Sequence, residues 1–107
     1  MEIELHNHRA NVSEPMRRKV ELMVERAALR FRGIVKAVVR FEEDGRVRRV
    51  EVVIHTSRHE PMVAVGEGRF FGPAAVQALA RLGVQLRRGK STRTARTRRP
   101  DSRRRRD

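Results

Sequence analysis

Two hydrophobic periodicities divide the chain. In the first twelve residues Ile3 and Leu5 alternate with Glu4 and His6, the period-two pattern of a half-buried strand, before Asn7 to Asn11 take on loop chemistry. Ser13 then offers a hydroxyl to the unpaired N–H groups of a first helical turn. Glu14 suits the positive end of a helix, and Pro15 needs no donor there. Met16, Val20, Met23, Val24, Ala27 and Phe31 recur on one side of a 3.6-residue helix. Gly33 is the expected stop, because glycine enters the left-handed region without steric cost.

Beyond it the period returns to two. Ile34 to Glu42 is rich in β-branched residues, and Glu43-Asp44-Gly45 reads as a hairpin turn. The return arm, Arg46 to His55, places Val50, Val52 and Ile54 on one face and Arg49, Glu51, Val53 and His55 on the other. A second turn over Ser57 to Pro61 leads to Met62–Val65, completing an antiparallel meander. A second helix is expected to start between Phe70 and Pro73, with Phe71, Ala74, Ala75, Ala78, Leu79, Leu82 and Leu86 as its stripe. The glycines at 66, 68 and 72 read as a cluster at a strand-to-helix turn, without the Lys-Ser/Thr of a phosphate-binding loop.

The order is β-α-β-β-β-α. Two amphipathic helices need an apolar surface, and one face of a four-stranded sheet supplies it. The expected fold is therefore a two-layer α+β domain over residues 1–88, with both helices on one side of the sheet. Residues 89–107 hold Arg, Ser and Thr and no apolar stripe, and read as a disordered basic tail.

Charge changes the picture most. The 107 residues carry a net charge of +13, unevenly spread. Residues 1–86 hold 15 basic and 11 acidic side chains, a net of +4, whereas 87–107 hold 11 and 2, a net of +9. Such an excess points to a polyanionic partner. Cysteine is absent, which excludes disulfides and thiolate chemistry. No apolar run approaches the ~18 residues of a membrane span, and the acidic N-terminus is unlike a signal peptide, so the expected location is cytoplasmic, away from membranes. His6 and His8, and His55 and His59, form pairs without a third metal ligand. No nucleophile–base arrangement stands out either, so neither a metal, a cofactor, a small-molecule substrate nor an enzymatic activity is expected. Tyr and Trp are absent and the four Phe are mostly assigned to the core, so recognition by phosphate and shape is favoured over base stacking.

The chain resembles the ribosome hibernation promoting factors, also called ribosome-associated translation inhibitors or subunit-interface proteins. The resemblance rests on several spaced features: His8 at the end of the first strand, Val12-Ser13-Glu14-Pro15-Met16-Arg17 at the helix start, and Phe31 at its end. It continues with Gly66-Glu67-Gly68, Ala74, and Leu82, Gln85 and Leu86 followed by Arg88 and Lys90. Phe70, Phe71, Gly72, Val76 and Val84 depart from the family pattern. The resemblance implies a module that binds the small ribosomal subunit and its ribosomal RNA in the channel for messenger and transfer RNA, and inhibits translation or shields idle ribosomes. By position it implies RNA-binding roles for Arg17, Arg26, Arg81, Arg88 and Lys90.

Charge and helical position alone add Lys19, Arg30 and Arg87. Lys19, Arg26 and Arg30 fall on one flank of the first helix and Arg81 and Arg88 on a flank of the second, two basic lines able to follow an RNA backbone. Leu22 and Leu29 fall off the stripe, on the outer side. The alternative is a generic binder of structured RNA or double-stranded nucleic acid with the same fold and no ribosomal site. A protein-interaction module using the open sheet face is a third reading. Off the ribosome the chain is expected to be a monomer.

Overall fold

The structure is a computed structural model that describes residues 1–88 apart from Arg32, Arg58 and the side chain of Arg88. The tail expected over 89–107, Lys90 included, lies outside the described residues. The elements run β1 (Glu2–His8), α1 (Glu14–Ala28), β2 (Ile34–Asp44), β3 (Val47–Thr56), β4 (Met62–Gly68) and α2 (Phe71–Arg88). The four strands form one sheet in the order β1-β2-β3-β4. β1 and β2 are parallel, joined by a crossover through α1, and the remaining pairs are antiparallel. This is the expected α+β fold.

Period two decides which face each strand buries. Ala37, Val39 and Phe41 of β2, Val50, Val52 and Ile54 of β3, and Met62 and Ala64 of β4 are buried under the helices. From above, Val20 and Val24 of α1 and Phe71, Ala74, Ala75, Ala78 and Leu82 of α2 close the core. Each large aliphatic side chain buried here contributes about 1.5–3 kcal/mol. Phe41 and Phe71 meet edge to face across the two layers, with ring centroids 5.4 Å apart.

Ser13 caps α1 as its position implies: its hydroxyl accepts from the Met16 N–H at 3.3 Å. The helix ends earlier than expected, at Ala28. Arg30 and Phe31 donate back to the carbonyls of Ala27 and Ala28, a tightening of the last turn that leaves Phe31 half-buried, lining a small cleft with Val24, Ile34 and Leu79, before Gly33 (φ +83°) opens β2. The hairpin turn also shifts by one residue. Asp44 pairs with Val47 and stays in β2, leaving Gly45 (φ +64°) and Arg46 as a two-residue loop led by glycine.

β4 runs three residues past Val65, so the glycines read as a turn are partly strand. Gly66 pairs with Val50, and a Cβ there would lie 2.0 Å from the Ala74 carbonyl oxygen. Glycine is required at this position because the backbone of α2 rests directly on the strand. That close approach puts one side of α2 over the outer edge of β4. Gln77 Oε1 accepts from the Glu67 N–H at 2.8 Å, Arg81 donates to the Val65 carbonyl at 2.7 Å, and Gln85 Nε2 donates to the Val63 carbonyl at 2.9 Å. Three side chains at i, i+4 and i+8 thus satisfy an edge strand.

Candidate nucleic-acid interface

The buried stripe of α1 fixes where its cations point. With Val20 and Val24 against the sheet, Lys19 and Arg26 emerge on the flank facing α2, and Arg30 follows on the same side in the turn after the helix. Lys19 Nζ reaches the first turn of α2, 3.9 Å from the place a Cβ would take on Gly72. Lys19, Arg26 and Arg30 are exposed and have no carboxylate partner among the described residues. At 1.5 Å per residue the row extends about 16 Å along α1, enough for two to three successive phosphates.

α2 adds to the same surface. Between Phe71 and Arg88 it contains no Asp or Glu. Arg87 is exposed on its outer side, and Arg88 closes the helix. Val76 and Val84 are exposed on α2, and Phe70 stands just before the helix, 67% exposed. Sequence reasoning assigned the phenylalanines mostly to the core; Phe41 and Phe71 are buried and Phe31 half-buried, but Phe70 is a surface residue.

Two residues to which the resemblance gives RNA-binding roles are engaged within the fold. Arg17 lies on the opposite flank of α1, donates to Asn7 Oδ1 at 2.8 Å and sits 3.6 Å from Glu14, so it ties α1 to β1. Arg81 holds the edge of β4. A polar row at 77, 81 and 85 on an otherwise apolar helix was the available signal for the edge contacts. The approach of Lys19 to Gly72, and of Arg48 to the Phe71 ring at 6.0 Å, had none.

The other face of the sheet has a different electrostatic character. Lys36 pairs with Glu4 at 2.9 Å, Arg40 with Glu51 at 3.7 Å, and Arg49 with Glu67 at 2.7 Å and Glu42 at 3.4 Å. Mutual hydrogen bonding holds Glu4 below the usual carboxylate range and raises Lys36, and Glu67 raises Arg49. The shallow groove on this face, about 440 Å³, is lined by Arg40, Arg49, Glu42, Glu51 and Glu67 together. A polyanion laid there meets carboxylates beside Arg40 and Arg49, and only Arg81 at the β4 rim lacks one among the described lining residues. Among the described residues no group of three His, Cys, Asp or Glu side chains is placed to hold a metal ion, and no helix is long and apolar enough to cross a membrane.

No family model matches the sequence, and no curated protein matches it significantly. Solved structures do match the fold. A ribosomal subunit interface protein from Coxiella burnetii superposes with a TM-score of 0.71 at 16% identity, covering 85% of this chain and 99% of that one. The N-terminal domain of Protein Y from Thermus thermophilus gives a TM-score of 0.71 at 22% identity, covering 82% of this chain and 98% of that one. At these identities the fold is what is shared, and it is the fold that the resemblance in sequence implies.

Proposed function

We propose that the chain binds the RNA of the small ribosomal subunit through its helix layer, using Lys19, Arg26, Arg30 and Arg87, continued by Arg88 and Lys90. In this reading it is a cytoplasmic binding protein, without catalytic activity, that occupies the channel for messenger and transfer RNA and so inhibits translation or shields idle ribosomes. The observation that carries the proposal is the segregation of charge: on the α1 flank facing α2, and along α2, cations stand without carboxylate partners among the described residues, whereas the other flank of α1 and the sheet face hold neutralised pairs. The two fold neighbours, one of them named for the ribosomal subunit interface, support the choice of ribosomal RNA over other polyanions. Long basic side chains keep their charge in water while their stems cover the apolar row of Val76 and Val84, and contacts of this kind follow a phosphate backbone by shape. The basic tail adds sequence-independent attraction.

Co-sedimentation of the purified protein with small ribosomal subunits tests this, with and without residues 89–107. Retention on the subunits at moderate salt in both forms is expected. No binding in either form overturns the proposal, and equal affinity for free RNA duplex and for subunits replaces it with a generic structured-RNA binder.

A further inference from the structure

The two edges of the sheet differ. β4 is covered along its outer side by Gln77, Arg81 and Gln85. β1, at the other edge, pairs only with β2, and among the described residues no side chain hydrogen-bonds its outer backbone. An unpaired edge is a template for another strand unless proline, a bulge or repelling charge blunts it. β1 (Glu2–His8) has no proline, and its pairing with β2 is in continuous register. Its polar side chains are complementary and ordered. Glu2 and Glu4 occupy the first half, His6 and His8 the second, all on the open face, with Leu5 at the centre.

We propose that β1 is a homodimerisation edge, two copies pairing it antiparallel about a two-fold axis through Leu5 to make one continuous sheet. An axis perpendicular to the sheet brings residues of the same face opposite one another. In this register Glu4 stands opposite His6 of the partner subunit, and Glu2 opposite His8 of the partner subunit. A slip of two residues either way sets Glu4 against its own copy or His6 against its own copy, so the charge order selects the register. Half-buried Leu5 gains cover from its own copy on the helix side.

The groups around these side chains are compatible with the pairing. Glu4 already holds Lys36 at 2.9 Å and His6 at 3.2 Å, His8 lies 3.8 Å from Glu42, and Arg40 neighbours His6 in register. α1 lies on the opposite face and presents Arg17, Glu21 and Glu25 toward the β1 side. Each cross-strand contact sets an imidazole against a carboxylate that can accept its N–H. Both helix layers then lie on one side of the joined sheet, setting two basic surfaces next to each other. A dimer off the ribosome takes the place of the expected monomer.

Sedimentation equilibrium of the full chain tests this without any RNA, so its outcome is separate from the ribosomal reading. A reversible dimer is expected between roughly micromolar and millimolar concentration. Glu2→Lys with Glu4→Lys, and separately His6→Glu with His8→Glu, each weaken self-association by roughly tenfold or more, because like charges then face each other. An equimolar mixture of the two variants restores it. If loss of the Glu4–Lys36 bond unfolds the first variant by circular dichroism, Glu2→Lys alone takes its place with a smaller loss and the same rescue. A wild-type chain monomeric at about 1 mM, variants that dimerise like wild type, or a mixture that fails to associate overturns the proposal.

Discussion

Arg81 donates a 2.7 Å hydrogen bond to the carbonyl of Val65, so a side chain that the family resemblance assigns to RNA binding also clamps the edge of β4. Gln77 and Gln85 do the same one turn to either side. Replacing Arg81 with Ala is expected to cost about 1 kcal/mol in chemical denaturation. Gln77→Ala is expected to raise hydrogen exchange at the Glu67 amide while leaving central β3 amides protected. Unchanged exchange at Glu67 contradicts the clamp.

Gly66 tests how closely α2 approaches the sheet. A methyl group there meets the Ala74 carbonyl oxygen at 2.0 Å and the Ala78 nitrogen at 2.7 Å, atoms of helix backbone that cannot rotate away. Gly66→Ala is expected to cost at least about 2–3 kcal/mol, measured by urea denaturation. Gly45→Ala meets no atom within 4 Å and carries only the penalty of its left-handed conformation (φ +64°), about 1–2 kcal/mol. A Gly66→Ala protein as stable as wild type contradicts the packing of α2 on β4.

How much of this was legible in the sequence follows from the range of the interactions. Ser13 as a cap and Val20 and Val24 as core are local matters of chain geometry, and the structure has them as expected. The early end of α1 came with a tightened turn over Ala27 to Phe31, and the length of β4 with pairing to β3 that overcame two glycines. Both are tertiary effects that periodicity does not encode. The same holds for the candidate interface. Lys19, Arg26 and Arg30 share a flank by helical arithmetic, whereas the engagement of Arg17 with Asn7 and of Arg81 with Val65 depends on which strand each helix covers.

The Glu4–Lys36 pair sets a pH dependence on the open face. Glu4 is lowered chiefly by its hydrogen bond from Lys36 and next by His6, while Lys36 is raised by the same bond. A carboxyl whose folded pKa is depressed contributes stability above its unfolded value and loses it as pH falls through the folded value. A raised lysine contributes below its unfolded value and loses that as pH rises through the folded one. The pair therefore contributes between these two limits, and modestly, since both groups are exposed. In an NMR titration, Lys36→Met is expected to move Glu4 upward toward the ordinary carboxylate range; a titration curve identical to wild type contradicts the assignment.

Ser13 gives a local check on α1, which carries most of the proposed RNA-binding row. Its hydroxyl is the acceptor for the Met16 N–H. Ser13→Ala is expected to cost about 1 kcal/mol, whereas Ser13→Asp retains the acceptor and stays near wild type. Equal losses in the two variants, read from thermal or urea melts, contradict the capping role.

The most direct test of the functional account compares two variants of equal net charge. One neutralises the helix layer by Lys19→Gln, Arg26→Gln and Arg30→Gln; the other neutralises the sheet face by Lys36→Gln, Arg40→Gln and Arg49→Gln. Binding of each folded variant to small ribosomal subunits is measured across a salt series. The helix-layer variant is expected to lose more than roughly tenfold in affinity, with the log–log salt slope reduced by about 2–3, while the sheet-face variant stays within about threefold of wild type. Equal losses in the two variants contradict the account, because binding then follows total charge and no particular face.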